Sequence, residues 1–135
     1  MRRIEKKNNR SGFSLVELVV VVLIMGIMAA VAAPRMFDKM SDARESSSRQ
    51  SLAVIRSAIE LYKAQEEAYP SSPKTDLTDY LKGAFPTCDV VGGNADVVVK
   101  TGTTALAVDT NSNASWIYNS DTGEFRINDA SYIAW

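Results

Sequence analysis

The sequence has no histidine and a single cysteine, Cys88. The first absence removes His-based catalytic triads, HExxH zinc sites and imidazole pH switches. The second removes an intrachain disulfide and any multi-cysteine metal cluster. Glycine and proline are sparse, at 7 and 4 of 135 residues, and Arg35 to Ala68 contains neither, so nothing there interrupts a helix. The net charge is only −1, with no basic stripe beyond the first dozen residues, and this argues against a nucleic-acid partner. Without an imidazole to act as base, Thr87, Ser115 and Ser131 have no activating partner in the sequence, and no enzyme activity is expected.

What is present is unevenly spread. Residues 1–12 carry Arg2, Arg3, Lys6, Lys7 and Arg10 against Glu5, whereas the 21 residues from Phe13 to Ala33 hold one charge, Glu17. At about 1.5 Å per residue such a run makes a helix of roughly 31 Å, the thickness of a bilayer core. Val19–Val22 favour strand, but in lipid the backbone must bond to itself, so helix is expected. The basic leader places residue 1 in the cytoplasm and the chain beyond Pro34 on the far side of the inner membrane.

Three readings compete for this segment. An ordinary secretory signal would be cut near Ala29–Ala33 and release a soluble exported domain, but Glu17 interrupts its apolar run and Pro34 follows where cleavage belongs. A plain membrane anchor has no use for the cost of an intramembrane carboxylate. The third reading rests on the string Gly12-Phe13-Ser14-Leu15-Val16-Glu17-Leu18 followed by an uncharged run. It closely resembles the cleavage and methylation site of type IV pilins and of the pseudopilins of type II secretion.

That resemblance implies cutting after Gly12 by a prepilin peptidase, N-methylation of Phe13, and retention of the apolar helix. Glu17 lies four residues beyond Phe13, on the same helical face, so the new amine and the carboxylate are natural partners. In the family the glutamate of an incoming subunit is thought to neutralise its neighbour's amine, which makes Phe13 and Glu17 assembly residues. Gly26 and Pro34 fall where family members often carry helix-weakening residues. They mark either a kinked membrane span or a stretch that unwinds in the polymer.

The implied partners are membrane lipid before assembly, a homo-oligomeric filament, an inner-membrane platform, a cytoplasmic assembly ATPase and minor pilin-like subunits. The implied setting is the bacterial inner membrane and then an envelope-spanning or surface filament. The segment Glu60–Pro70, ending Ala68-Tyr69-Pro70, resembles the helix end of major pseudopilins. The lone Cys88 departs from pilins that close a C-terminal disulfide. Both features lean towards a type II secretion pseudopilin, with a type IV pilus or DNA-uptake pilin as the alternative.

The fold class expected is α+β: a long N-terminal helix, its first half transmembrane, packed against a small antiparallel sheet. The divisions are a leader (1–12), a transmembrane and filament-core helix (13–34), the extramembrane half of the helix (35–69) and a small globular domain (70–135). Leu52, Ile55, Ile59 and Tyr62, flanked by Ala58 and Leu61, form the helix face that should pack on that domain. Ser41–Ser51 is polar all round and reads as a solvated stalk or a surface that contacts neighbouring subunits.

A short helix is expected after Thr75 or Asp76, with Leu77, Tyr80 and Leu81 inward and Gly83 as the stop. Val97–Val99, Ala105–Val108, Trp116–Tyr118, Phe125–Ile127 and Tyr132–Trp135 read as strands, with a glycine turn at Asn119–Glu124. Asp109-Thr110-Asn111-Ser112-Asn113 resembles the opening of a calcium loop. It fails the EF-hand rule, because Ala114 stands where glycine is needed and Ser120 where glutamate is needed. Major pseudopilins often bind calcium in a C-terminal loop, and Asp109, Asn111 and Asp121 are the candidate oxygen donors. The alternative is a solvent loop rich in turn formers.

Overall fold

The computed structural model describes residues 12–135, so the basic leader lies outside the described residues apart from Gly12. One helix, α1, runs from Leu15 to Glu66 and continues through Gly26 and Pro34. The described chain divides into two compact units, one ending at Lys39 and the other running from Met40 to Trp135. In the first unit every side chain from Gly12 to Lys39 is exposed. A helix that is apolar all round, with none of it buried by its own chain, has lipid or other protein as its only apolar surroundings.

In the second unit the C-terminal part of α1 is amphipathic, as its spacing predicts. Leu52, Ile55, Ala58 and Ile59 are buried, Tyr62 is half-buried and Leu61 is exposed. The helix stops at Glu66, three residues before Tyr69, because Glu67 turns left-handed at φ 57°. That conformation costs a non-glycine residue about 1–2 kcal/mol. A single helical turn, α2 (Pro73–Asp76), follows. It starts earlier than the sequence predicts: Pro73 takes the first position, and the Asp76 carboxylate accepts the Ser72 amide proton at 2.8 Å. Leu77 is buried and Tyr80 and Leu81 are half-buried, as expected.

The three strands are β1 (Val97–Lys100), β2 (Trp116–Asn119) and β3 (Phe125–Ile127), in spatial order β1-β2-β3. The α+β class holds, but the sheet is mixed rather than antiparallel. β2 and β3 form the expected hairpin, Tyr118 opposite Phe125, with Gly123 at φ 75° in its turn. β1 runs parallel to β2, Val97 opposite Trp116. The reason is the connection: residues 101–115 are long enough to carry the chain back to its starting end, which a parallel pair requires.

Ala105–Val108 therefore forms no strand; it lies within this crossover. The crossover is pinned by the Leu106 amide on Glu124 and the Asp109 amide on the Asn128 side chain. Tyr132–Trp135 is also not a strand. It closes in turns on Asp129, and two of its carbonyls are taken by arginines, so it offers no edge for pairing.

Alternation along β2 and β3 sends Trp116, Tyr118, Phe125 and Ile127 into one cluster with Leu52, Ile55 and Ile59 of α1. The Phe125 ring sits 5.4 Å from that of Trp116 and 6.0 Å from that of Tyr118, both tilted, a favourable aromatic arrangement.

Candidate functional site

The motif residues meet at the start of α1. Gly12, Phe13 and Ser14 precede the helix, and the Ser14 carbonyl accepts the first helical bond, from the Leu18 amide at 3.2 Å. The Ser14 hydroxyl accepts the Glu17 amide proton at 3.2 Å, and the Glu17 carboxylate reaches back to the Ser14 amide at 3.5 Å. This reciprocal pair is a capping box, which satisfies two amides that a helix start leaves without partners. The S-x-x-E spacing of Ser14 and Glu17 announces it in the sequence, yet the spacing argument above finds only Glu17. Glu17 is thus a helix cap as well as a charge facing the Phe13 end of the chain.

Gly12 has a different standing. Among the described residues a Cβ added there would meet nothing within 4 Å. Nothing in the described fold requires glycine at this position. Gly26 is equally unconstrained, and Pro34 is held inside continuous helix.

The second unit carries the nucleophile candidates Cys88 and Ser115. Cys88 is buried, deeper than an isolated surface thiol, and burial pushes its pKa up, so the reactive thiolate is disfavoured. Ser115 is buried and its hydroxyl donates to the Val91 carbonyl. The supposedly solvated stretch Ser41–Ser51 contains an anchor instead. Ser48 is fully buried, and its hydroxyl accepts the amides of Asp89 and Val90 at 2.9 and 3.1 Å. Ser47 donates to the Asp89 carboxylate at 2.7 Å. A polar side chain is tolerated there because a loop 40 residues on brings it donors, and no local pattern announces that.

The carboxylates of Asp109 and Asp121, two of the three candidate calcium donors, already hold other partners. Lys100 Nζ lies 2.5 Å from Asp109 Oδ2, the Asn111 amide donates to Asp109 Oδ1 at 3.0 Å, and Asp121 accepts the Gly102 amide at 2.6 Å. The Lys100 hydrogen bond, with help from the Asn111 amide, holds the Asp109 carboxyl below its ordinary pKa. No three Asp, Glu, His or Cys side chains among the described residues gather as a metal site. As they stand, one of the two carboxylates of the set is held by a lysine and the other accepts a backbone amide, so a calcium ion would have to displace Lys100.

Residues 7–33 match the family model of the prokaryotic N-terminal methylation motif. Over 111 residues the chain is 31% identical to the Type IV narrow pilus major component PilA5 of Thermus thermophilus, with 82% of each chain covered. The chain belongs to the type IV pilin-like family. It is also 34% identical over 67 residues to the Type II secretion system core protein G of Pseudomonas aeruginosa, and 28% identical over 68 residues to that of Vibrio cholerae. Each of these two alignments takes in 50% of this chain and 47% of the relative, so the chain spans about half the length of those secretion proteins. No solved structure matches.

Proposed function

We propose that this pilin-like chain is a non-enzymatic building block of a helical filament of the type II secretion kind. A prepilin peptidase cuts after Gly12 and methylates Phe13. The apolar helix holds the subunit in the inner membrane, N-terminus in the cytoplasm and the sheet-bearing unit outside. Assembly on an inner-membrane platform, driven by a separate cytoplasmic ATPase and joined by minor pilin-like subunits, moves that helix from lipid to the filament core.

The observation that carries this reading is the coincidence of two facts. The matched motif spans residues 7–33, and the helix it opens exposes every apolar side chain up to Met36 and Phe37. Such a surface is stable in lipid and equally in a bundle of like helices. A type IV pilus subunit is the second reading, favoured by the likeness to the Thermus pilus component over 82% of both chains.

The test is the N-terminal residue and intact mass of the protein from its native membrane. Loss of residues 1–12 with one added methylene on Phe13 is expected. A product beginning near Ala33 or Pro34 would overturn the filament reading. Glu17→Ala should still be cut after Gly12 but be impaired in incorporation into filaments, and wild-type filament yield would remove Glu17 from assembly. Loss of secretion on deletion supports the first filament type, and loss of surface fibres the second.

A further inference from the structure

The capping box at Ser14 and Glu17 does more than finish a helix. It fixes where the helix stops relative to the Gly12–Phe13 bond, and the stop falls just after that bond: Gly12, Phe13 and Ser14 are outside α1, which begins at Leu15. We propose that Ser14 is a positioning residue for processing, which keeps the scissile peptide out of the helix so that a peptidase can take it as extended chain. This rests on the reading that the chain is cut after Gly12.

The argument follows the hydrogen bonds. In an α-helix each carbonyl accepts from the amide four residues on. If α1 were wound one turn further back, the Glu17 amide would bond to the Phe13 carbonyl and the Val16 amide to the Gly12 carbonyl, the very group a hydrolase must attack. The pressure to wind back is real, because a helix start at a lipid surface leaves four amides without partners. Ser14 relieves it. Its hydroxyl takes the Glu17 amide, and the Glu17 carboxylate takes the Ser14 amide in return. With the Glu17 amide occupied, the Phe13 carbonyl has no helical donor, and helix cannot propagate to Gly12. The Gly12 side adds no steric stop of its own, since a Cβ there meets nothing within 4 Å among the described residues.

Glu17 thereby has two separable properties. As an acceptor it completes the cap, a task glutamine performs as well. As an anion it serves the assembly proposed above, which glutamine cannot do.

The test is the rate of cleavage of the full-length precursor in membranes containing a prepilin peptidase. It is run beside hydrogen exchange at the Val16 and Glu17 amides. Wild type should be cut after Gly12. Ser14→Leu and Ser14→Ala should be cut about five- to tenfold more slowly, the factor that follows from an N-cap worth roughly 1 kcal/mol. Ser14→Thr and Ser14→Asn, which cap with differently shaped side chains, should restore the wild-type rate, and Glu17→Gln should be cut normally but fail to assemble.

Wild-type cleavage of Ser14→Leu and Ser14→Ala would overturn the proposal. So would equal slowing of the Thr and Asn variants, which would mean that the peptidase reads the serine itself. Absence of cleavage after Gly12 in the wild-type chain would instead overturn the processing reading beneath it.

Discussion

The ring of Tyr69 occupies the place where a side chain on Gly123 would stand: a Cβ built on Gly123 overlaps the ring atoms. Tyr69 follows the end of α1, and Gly123 sits in the β2–β3 turn, so this contact joins the helix end to the hairpin. Tyr69 is further held by Lys63, whose ammonium hydrogen-bonds the Tyr69 hydroxyl at 2.7 Å.

Gly123→Ala should accordingly be among the most damaging single-methyl changes in the second unit. The left-handed φ of 75° and the overlap with Tyr69 act together. Their combined cost is about 2–4 kcal/mol. Thermal unfolding of the full chain in detergent would show it, and Tyr69→Ala in the same background should recover the steric part.

Arg56 ties α1 to the end of the sheet. It donates to the Phe125 carbonyl at 3.0 and 2.9 Å and to the Trp135 carbonyl at 2.7 Å, while Arg49 lies 3.7 Å from the Trp135 ring centroid. Arg56→Met should cost about 2–3 kcal/mol, because charge-assisted bonds are lost and partly buried carbonyls are left without donors. Arg49→Ala should cost about 0.5–1 kcal/mol, the cation–π range at an exposed site. Denaturant titration distinguishes the two, and near-equal losses would contradict this division of roles.

Alkaline stability should turn on Tyr118. Its hydroxyl is buried and donates to the Pro70 carbonyl at 2.9 Å, and burial, reinforced by neighbouring tyrosines and Asp76, raises its pKa well above the usual phenol value. The unfolded chain ionises near pH 10 while the folded chain keeps its proton. The stabilisation is therefore whole below pH 10 and falls as pH rises, by up to about 1.4 kcal/mol per unit. Tyr118→Phe should be less stable at pH 7 by about 1 kcal/mol, the worth of one hydrogen bond. It should also show a flatter decline between pH 10 and 11, and parallel declines would assign the sensitivity to other groups.

Millimolar calcium should leave the melting temperature of the full chain unchanged, because Lys100 already neutralises Asp109. A ligand at a hundred times its Kd stabilises by about 2.7 kcal/mol, which such a scan would detect. A rise abolished by Asp109→Asn would restore the calcium site.

The membrane-length helix, the prepilin-type motif, the helix face of Leu52, Ile55 and Ile59, and the hairpin at Gly123 were legible in the residues. Each is a local matter: apolar periodicity, a charge at a fixed spacing, or a turn that needs a positive φ. The capping box was also written locally, in Ser14 and Glu17.

Everything that the tertiary structure alone decided joins residues far apart in the chain. Ser48 reads as solvated polar helix until Asp89 and Val90 bring it their amides. Val97–Lys100 reads as one more antiparallel strand until the 101–115 crossover returns it parallel to Trp116–Asn119. Tyr132–Trp135 reads as an edge strand until Arg56 and Arg126 take its carbonyls. Lys100 at the end of β1 reaches Asp109 in the crossover, a pairing that no local pattern announces. Periodicity and turn chemistry set which elements form. The partner of a buried polar group is chosen by long-range packing, and a one-dimensional pattern carries no record of it.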